Sequence, residues 1–575
     1  MLVLKLSQTA ANPSAVLDVS GGRHFISVVF AACSAFFARL PAIGVERLAI
    51  FASLFFSLSC NYLFFTTAWA QRDWTHPASW LFAAGLFVTI TALQSAGLLI
   101  LLNRWTSKPL LTILFMVTAA ASYYMNKYTV FFNPEMVRNI LRTDVREAGE
   151  LFCLSFVIHM LVFGVLPSVL VWQLRLRTTP LRRAIPVRLL YIVAALAVTA
   201  GSTMLIFQDF SSLMRNQKEV RYLITPSNYL FSLSRVVAAD TAQAHTPKIK
   251  ISDDAKLAAG WAGRTKPMLF VLVVGETTRA ANWGLNGYEH QTTPELKKLD
   301  VVNFPHATSC GTNTEVSVPC MFSIYGRHDY NEAKIRSHES LLHIIDKVGV
   351  KTVWRDNQAG CKGVCDGLEE QNLSESKHPT LCDGERCLDE IMLENMDGVI
   401  QKAKNGNLFV VLHQLGNHGP AYYRRYPANL RSFTPTCDTS DLSKCSREQI
   451  TNTYDNGVLY TDHFLAKTIA YLKSQTSYDT AMLYLSDHGE SLGEHGIYLH
   501  GLPYSIAPKE QTQVPMVMWM SPGFAASFGV NKDCLQQRAA NPVSQDNLFH
   551  SILGMLQIES SYYDKKLDMT AGCRA

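Results

Sequence analysis

Hydrophobic and polar positions divide the chain into two parts. Up to about residue 210 the sequence is dominated by long apolar runs, whereas from about residue 250 short apolar runs alternate with charged and turn residues. A helix needs about 20 apolar residues to cross a bilayer. Runs of roughly that length lie at 48–70, 79–102, 109–127, 152–174 and 189–208. The pattern therefore predicts five transmembrane helices followed by a soluble domain.

The same change of pattern predicts where the parts begin and end. A shorter apolar stretch at 25–37 has no small-residue cleavage site, so we expect it to lie at the membrane interface and not to be a removable signal peptide. The predicted parts are a cytoplasmic or interfacial segment at 1–45, the membrane domain at 46–210, a linker with a bridging helix at 211–265 and the soluble domain at 266–575.

Basic residues in the short loops predict the orientation in the membrane. The loop after the second span carries Arg104 and Lys108, and the segment after the fourth span, "LRLRTTPLRRAIPVR", contains Arg175, Arg177, Arg182, Arg183 and Arg188. Loops rich in Lys and Arg stay on the cytoplasmic side. With five spans, the amino terminus is then cytoplasmic and the soluble domain lies outside, in the periplasm.

The loop at 124–150, between the third and fourth spans, lies on that outer side in this topology. It is long, aromatic and amphipathic. Two interpretations stand side by side: a segment on the membrane surface that touches lipid headgroups, or an ordinary packed connection between helices.

The cysteines agree with a periplasmic soluble domain. Of 13 cysteines, Cys33, Cys60 and Cys153 have apolar neighbours and are expected to be small buried hydrophobes. The other ten lie in the soluble half, and local pairs of cysteines favour disulfides and an oxidising compartment. The close pairs are Cys310 with Cys320, Cys361 with Cys365, Cys382 with Cys387, and Cys437 with Cys445, which leaves Cys534 with Cys573.

A zinc ribbon is the alternative for these cysteines, because Cys361 and Cys365 are spaced like thiolate ligands. The irregular gaps between the pairs favour disulfides instead. The formal net charge of +5 is modest for 575 residues and includes no polybasic block, so we expect no binding to nucleic acid.

Three apolar runs of strand length in the soluble half each end in chemically active side chains. "MLFVLVVGETTR" delivers Glu276, "AMLYLSDHGE" delivers Asp487 and His488, and "LFVVLHQLGNHGP" delivers His413 and His418. Helical patterns lie between them, for example around 338–349 and 456–474. Alternating strands and helices predict an α/β domain with a mostly parallel sheet, in which functional groups gather beyond the carboxyl ends of the strands.

Glu276, Asp487 and His488 are thus predicted to share one edge of the sheet. Two carboxylates and an imidazole suit zinc or a similar divalent cation with a position left open for chemistry. Taken singly, an Asp after a strand is commonly a helix cap and a His is commonly structural. Three such groups at equivalent strand ends favour a metal site.

A short polar loop, "SCGTNTEVSVPC", is enclosed by Cys310 and Cys320. It contributes little to a core, so a cross-link there indicates that its geometry matters for function. The candidate nucleophiles are the hydroxyl residues of this loop and the threonine directly before it: Thr308, Ser309, Thr312, Thr314 and Ser317. Residue type and spacing alone do not choose among them.

Four longer segments carry a family resemblance: "VVGETTRAANWGLNGY", "SCGTNTEVSVPCMF", "GNHGPAYYRRYP" and "SDHGESLGEHGIYLHGLPYSIAPKEQTQVP". They resemble the bacterial phosphoethanolamine transferases of the alkaline phosphatase-like superfamily, and the resemblance extends to five spans before a periplasmic domain. Within that family the sequence looks most like the lipid A enzymes whose product confers polymyxin resistance.

The resemblance implies roles for individual residues. Thr314 corresponds to the nucleophile, and Glu276, Thr314, Asp487 and His488 to a zinc site, with one ion or two left open. His418 and His500 correspond to histidines near the phosphoryl group or a second zinc, and Lys362 to a basic residue that contacts phosphate. Positions associated with lipid binding correspond to Asn139, Glu147 and Gln358, the last standing where some members have Asn.

The implied activity is transfer of phosphoethanolamine from phosphatidylethanolamine to a phosphate of lipid A. It would proceed through a phosphoethanolamine-threonine intermediate, release diacylglycerol and reduce the negative charge of the surface. The implied protein is a zinc enzyme of the bacterial inner membrane that meets membrane lipids and acts as a monomer.

Other functions remain open at this point. A lipopolysaccharide core sugar is an alternative acceptor, and a phosphoglycerol transferase or a membrane-anchored phosphatase would share the metal site and nucleophile. A sulfatase needs a Cys-x-Pro-x-Arg frame, which "VPCMFSIYGR" does not supply. A non-catalytic membrane sensor of metal or lipid is the alternative from another class, but it has no reason to place a hydroxyl among metal ligands.

Overall fold

The computed structural model describes residues 42–70, 72–243, 246–404 and 406–574. The apolar stretch at 25–37 and Cys33 lie outside these ranges. The described residues belong to two compact units. The first comprises 42–60, 73–119 and 160–210, and the second comprises the remaining described residues.

Helices make up most of the described chain between residues 42 and 243. Two of them continue through a π-helical turn, at Phe56–Cys60 and Leu161–Val165. The helices are α1 Val45–Phe55, α2 Tyr62–Trp69, α3 Pro77–Leu101, α4 Ser107–Tyr128, α5 Pro134–Arg142, α6 Val145–Glu150, α7 Leu154–Met160, α8 Leu166–Gln173, α9 Leu181–Leu205, α10 Phe207–Asn216 and α11 Ser227–Gln243.

Four helices in the described part of the chain are long and apolar enough to cross a membrane: α3, α4, the continuous pair α7–α8, and α9. A fifth span results if the bent pair Val45–Cys60 and Tyr62–Trp69 is counted as one. The sequence predicts an unbroken first span at 48–70, but the helix breaks at Asn61. The Asn61 side chain accepts a hydrogen bond from the Thr225 N–H at 2.7 Å and donates to its carbonyl at 2.9 Å. These bonds to a distant backbone compete with continuation of the helix.

An eight-stranded sheet forms the centre of the soluble domain, with the order β11-β3-β10-β7-β2-β6-β4-β5. Every neighbouring pair is parallel except those that β10 makes with β3 and β7. Its strands are β2 Met268–Gly275, β3 Val302–Thr308, β4 Lys351–Asp356, β5 Glu369–Asn372, β6 Leu408–His413, β7 Asp479–Ser486, β10 Gln513–Met520 and β11 Val543–Ser544. Two small ribbons pair β1 Lys256–Leu257 with β12 Ile558–Glu559, and β8 Ser491–Leu492 with β9 Tyr498–Leu499.

Hydrophobic cores cover both faces of this sheet, which explains why its central strands are continuous apolar runs. Along β2, Phe270 and Leu272 belong to one core, whereas Leu269 and Val271 belong to the other. A strand buried on both faces has no polar side to alternate with. The helices of the domain are α12 Thr314–Met321, α13 Glu332–Ser337, α14 Leu341–Lys347, α15 Met396–Lys402, α16 Arg447–Ser474, α17 Lys509–Thr512, α18 Pro522–Ser527, α19 Lys532–Arg538 and α20 Asp546–Met555.

Disulfides close several loops of the soluble domain. Four join close sequence neighbours, and a fifth joins Cys534 to Cys573 across 39 positions. The four local bridges are Cys310–Cys320, Cys361–Cys365, Cys382–Cys387 and Cys437–Cys445. Cys361 and Cys365 are thus bonded to each other.

Candidate active site

The parallel register of β2 and β7 brings three predicted ligands together. Gly275 pairs with Ser486 at the carboxyl ends of the two strands, and the Asp487 N–H donates to the Gly275 carbonyl at 2.9 Å. The next residues along each strand are Glu276 on one side and Asp487 with His488 on the other. All three are completely buried.

One potential ligand atom from each of these three side chains points toward a common position. His488 Nε2 lies 3.3 Å from Glu276 Oε1 and 3.3 Å from Asp487 Oδ2. Each of these three atoms is buried without a hydrogen-bond partner. His488 Nδ1 lies 2.9 Å from the Gly489 carbonyl, which assigns a proton to Nδ1 and makes Nε2 the atom that would bind a cation.

Buried polar atoms without partners are rare because they cost free energy. Burial and the Glu276 carboxylate raise the pKa of Asp487. Burial lowers the pKa of His488, but the two carboxylates outweigh burial and raise it. A divalent cation would relieve the repulsion between the two carboxylates and use all three orphaned atoms, so the residues present fit a zinc-type site.

Thr314 is the hydroxyl of the disulfide-closed loop that lies beside this cluster. It is the first residue of α12, which Asn313 caps by accepting a hydrogen bond from the Val316 N–H at 3.1 Å. Thr314 Oγ1 donates to Glu276 Oε2 at 3.0 Å. By contrast, the Ser309 and Thr312 hydroxyls donate to backbone carbonyls at 2.6 Å each. The fold thus separates hydroxyls that the sequence pattern leaves equivalent.

Gln358 follows β4 and reaches the same carboxylate. Its Nε2 donates to Glu276 Oε2 at 2.9 Å and lies 3.5 Å from Thr314 Oγ1. The resemblance associates this position with lipid binding, whereas the contacts here are with the proposed ligand and the proposed nucleophile.

Two further histidines stand next to the cluster. The ring centroid of His500 lies 4.4 Å from that of His488 and 5.2 Å from that of His418. Glu276, His488 and His500 each offer a ligand atom within 4.8 Å of the others. His500 is therefore close enough to join the ligand set.

Glu490 is a site residue that the sequence interpretation missed. Its Oε2 lies 2.7 Å from His500 Nδ1, and its Oε1 accepts a hydrogen bond from the Tyr422 hydroxyl at 2.5 Å. It therefore fixes the orientation of the His500 ring. The available signal was its position in "SDHGE", two residues after His488 in the same strand-end segment.

His418 pairs with a residue of the membrane-side loop. Its Nε2 lies 2.9 Å from Glu147 Oε1 on α6. Burial lowers the pKa of His418, but Glu147 outweighs burial and raises the pKa to about 9. Burial raises the pKa of Glu147, and His418 outweighs it and lowers the pKa to about 2. These opposite shifts favour an ion pair between the two side chains, of which His418 is 8% and Glu147 is 20% exposed.

The other predicted residues have hydrogen-bond or ion-pair partners of their own. Lys362, within the Cys361–Cys365 loop, places its Nζ 3.5 Å from Glu315 Oε1. Asn139 is partly exposed on α5, and its carbonyl accepts a hydrogen bond from the Thr143 hydroxyl. His413, which ends β6, is bound through Nδ1 to Asp356 at 2.7 Å.

Sequence models of two families match the chain. The family described as "Phosphoethanolamine transferase EptA/EptB" matches residues 90–241, and the family described as "Sulfatase" matches residues 269–558. The phosphoethanolamine transferase EptA of Salmonella typhimurium is 36% identical over 541 residues, which are 94% of this chain and 98% of that protein. The phosphatidylethanolamine transferase Mcr-1 of Escherichia coli is 38% identical over 76% of this chain and 81% of that protein.

A solved structure agrees with these matches. The integral membrane protein lipooligosaccharide phosphoethanolamine transferase A from Neisseria meningitidis superimposes with a TM-score of 0.88 at 37% identity, covering 93% of this chain and 100% of that one. The fold and the family models define a protein with helices long and apolar enough to cross a membrane and a sulfatase-type α/β domain. More narrowly, the chain belongs to the EptA family of phosphoethanolamine transferases. The resemblance inferred from the sequence motifs is confirmed.

Proposed function

We propose that this chain is a zinc-dependent enzyme that transfers phosphoethanolamine from phosphatidylethanolamine to a phosphate of lipid A through an adduct on Thr314. The observation that carries the proposal is the 3.0 Å hydrogen bond from Thr314 Oγ1 to Glu276, beside three buried ligand atoms without partners. The names of the EptA and Mcr-1 relatives supply the transferred group.

A bound divalent cation would lower the pKa of a coordinated hydroxyl and would offset negative charge on the reacting phosphate. Glu276, Asp487, His488 and Thr314 are the residues that would hold it. Glu276 also accepts the Thr314 hydroxyl hydrogen bond, and the Gln358 amide donates to the same carboxylate oxygen. These contacts orient the hydroxyl before a substrate arrives.

In the first step, Thr314 Oγ1 attacks the phosphorus of phosphatidylethanolamine. The bond from phosphorus to the glycerol oxygen breaks, and the proton lost by the threonine hydroxyl balances the one gained by the departing diacylglycerol. In the second step, a phosphate oxygen of lipid A attacks the same phosphorus and the bond to Thr314 breaks, and the proton lost by the attacking phosphate group balances the one that the threonine hydroxyl regains. Donor and acceptor then need not bind together.

Cationic and proton-carrying groups around the cluster suit the phosphoryl oxygens. Lys362, His418 and His500 are assigned to charge compensation or proton transfer, and a second zinc near the two histidines remains an alternative. Asn139 and Glu147 are assigned to lipid binding. We further propose an inner-membrane location with a cytoplasmic amino terminus, a periplasmic catalytic domain and a monomeric state.

The direct test uses the full-length protein in detergent with phosphatidylethanolamine labelled in its headgroup. We expect a phosphoethanolamine adduct on the Thr314 peptide by mass spectrometry. Thr314→Ala should lose it, and Thr314→Ser should retain part of it. A glycerol-phosphate adduct from phosphatidylglycerol in place of this one would indicate a phosphoglycerol transferase, and no adduct from either donor would favour the sensor function.

The acceptor needs a separate measurement. Lipid A from cells that express the protein should gain phosphoethanolamine, as read from mass spectra, and lipid A from Thr314→Ala cells should not. Addition confined to the core sugars would contradict the proposed acceptor while leaving the donor step intact.

A further inference from the structure

Glu315, the residue after the proposed nucleophile, is a buried carboxylate surrounded by cations. Its side chain is 1% exposed. Its Oε2 accepts hydrogen bonds from Arg142 Nη1 and Arg336 Nη2, each at 3.1 Å, and its Oε1 lies 3.5 Å from Lys362 Nζ. Arg336 Nη2 also donates to the Glu315 carbonyl at 2.9 Å. Both the side chain and the backbone of Glu315 are therefore fixed.

Two of these contacts belong to a closed ring of alternating charges, which we call the charge ring. Beyond Glu315 it passes from Arg142 to Asp240 at 3.4 Å and from Asp240 to Arg138 at 2.9 Å. Arg138 also bonds Glu332, which returns to Arg336 at 3.1 Å. The ring joins α5, α11, α12 and α13, and its members are Arg138, Asp240, Arg142, Glu315, Arg336 and Glu332.

Formal charges in the ring balance, because three arginines face three carboxylates. Lys362 adds a fourth cation, so its ammonium is the charge that the group leaves uncompensated. The Lys362 side chain is only 7% exposed and borders a cavity of about 750 Å³ that Arg142 and Arg336 also line. An anion entering this cavity would meet the Lys362 ammonium as a preformed positive charge.

We propose that Glu315 is a positioning residue for the transfer reaction: it holds the Lys362 ammonium beside the start of α12, where the phosphoryl group is attached to Thr314. This inference rests on the proposed function. A lysine side chain has many rotamers, and fixing one of them before the substrate binds removes that ordering cost from the reaction. Because Glu315 directly follows Thr314, the held ammonium keeps its place relative to the nucleophile.

A merely structural role for Glu315 makes a different prediction, so the test is a double-mutant cycle with Lys362. Full-length Glu315→Gln, Lys362→Met and the double variant are compared by the rate of adduct formation on Thr314 at saturating labelled phosphatidylethanolamine. We expect each single change to lower the rate by about tenfold or more. The double variant should be at most about twofold slower than Lys362→Met, because Glu315→Gln can release the ammonium only where Lys362 is present.

Asp568→Asn is the matched control. Asp568 is a buried carboxylate paired with Arg574 in the carboxyl-terminal segment. It should lower the melting temperature without changing the adduct rate of the folded protein or its zinc content. The positioning role would be overturned if the two single losses in adduct rate multiplied in the double variant. It would also be overturned if the losses in rate followed the zinc content or the folded fraction of the variants.

Two further measurements keep the inference testable if Glu315→Gln does not fold or no adduct forms. Glu315→Asp keeps the charge but withdraws it by one methylene, and it should show a smaller loss that again disappears in the Lys362→Met background. Independently of catalysis, an amine-reactive acyl ester should modify Lys362 faster in the Glu315 variants than in the unaltered protein. Equal modification rates would contradict the inference that Glu315 holds the Lys362 ammonium in place. A missing adduct in the unaltered protein would instead contradict the proposed function.

Discussion

Two neighbouring groups of charged side chains in the second unit are compensated in opposite ways. At the sheet edge, Glu276, Asp487 and His488 leave three buried atoms without partners. In the charge ring, arginines and carboxylates alternate and bind one another. The start of α12 touches both regions, through Thr314 on one side and Glu315 on the other. The cluster at the sheet edge, with buried ligand atoms that lack partners, is suited to bind a cation. The charge ring, whose charges are paired with one another, is suited to hold its own side chains in place.

Removing the nucleophile should have the largest effect on activity. Thr314→Ala should lower phosphoethanolamine transfer by a factor of about 1,000 or more, because the nearby Ser309 and Thr312 hydroxyls are engaged with backbone carbonyls. Transfer to lipid A by purified full-length protein measures this. Three of the four proposed ligands, Glu276, Asp487 and His488, stay intact, so the variant should still bind zinc; lost zinc binding would make Thr314 chiefly a structural ligand.

Zinc binding and the Asp487→Asn substitution should each relieve the repulsion between the two buried carboxylates, but the variant should no longer respond to zinc. Zinc at about 100 times its dissociation constant should stabilise the protein by about 3 kcal/mol, measured as a chelator-reversible rise in melting temperature. Asp487→Asn should abolish that rise.

The same variant, compared without metal, should be more stable than the unaltered protein by about 1 kcal/mol, since one of two repelling carboxylates is neutralised. Asn keeps the oxygen that accepts from the Thr277 and His488 N–H groups. A metal-free Asp487→Asn protein that is less stable would contradict the view of the cluster as uncompensated.

The charge ring should respond in the opposite direction. Arg138→Met removes a buried guanidinium that serves both Asp240 and Glu332, and it leaves those carboxylates short of a partner. We expect a loss of about 3 kcal/mol in the free energy of unfolding, measured by denaturant titration. Arg431→Met, at an exposed pair with Asp438, is the control and should cost less than about 1 kcal/mol. Equal losses of unfolding free energy in the two variants would mean that the charge ring stabilises the protein no more than an exposed ion pair does.

The disulfide that closes the α12 segment should affect the reaction far less than loss of the nucleophile does. Replacing Cys310 and Cys320 by Ala should slow adduct formation on Thr314 by about tenfold, because the segment between the two regions gains freedom. Its cost to stability should stay within about 3 kcal/mol for so short a closed loop. The comparison is made with the Cys437 and Cys445 double Ala variant, whose bridge closes a loop of similar separation elsewhere. An equal fall in the adduct rate in both variants would contradict a specific role for the Cys310–Cys320 bridge.

The sequence was most informative where the chemistry follows directly from the strands. Continuous apolar runs indicated strands buried on both faces, and the polar residues after β2 and β7 indicated which side chains meet at the sheet edge. It was less informative about helix continuity, since the apolar run at 48–70 hid the break at Asn61. Glu490 was missed because a carboxylate after a strand has no distinctive pattern until its partners, His500 and Tyr422, are known.

By itself the sequence determined the division into membrane helices and an α/β domain, the family motifs and which side chains follow β2 and β7 at the sheet edge. These depend on local periodicity and on the rule that parallel strands end at one edge. Only the tertiary structure decided that Thr314, among several hydroxyls, faces Glu276, and that Glu315 closes the charge ring. The physical reason is distance along the chain: the ring joins Arg138 to Glu332 across 194 positions, and no local pattern encodes a contact between side chains so far apart.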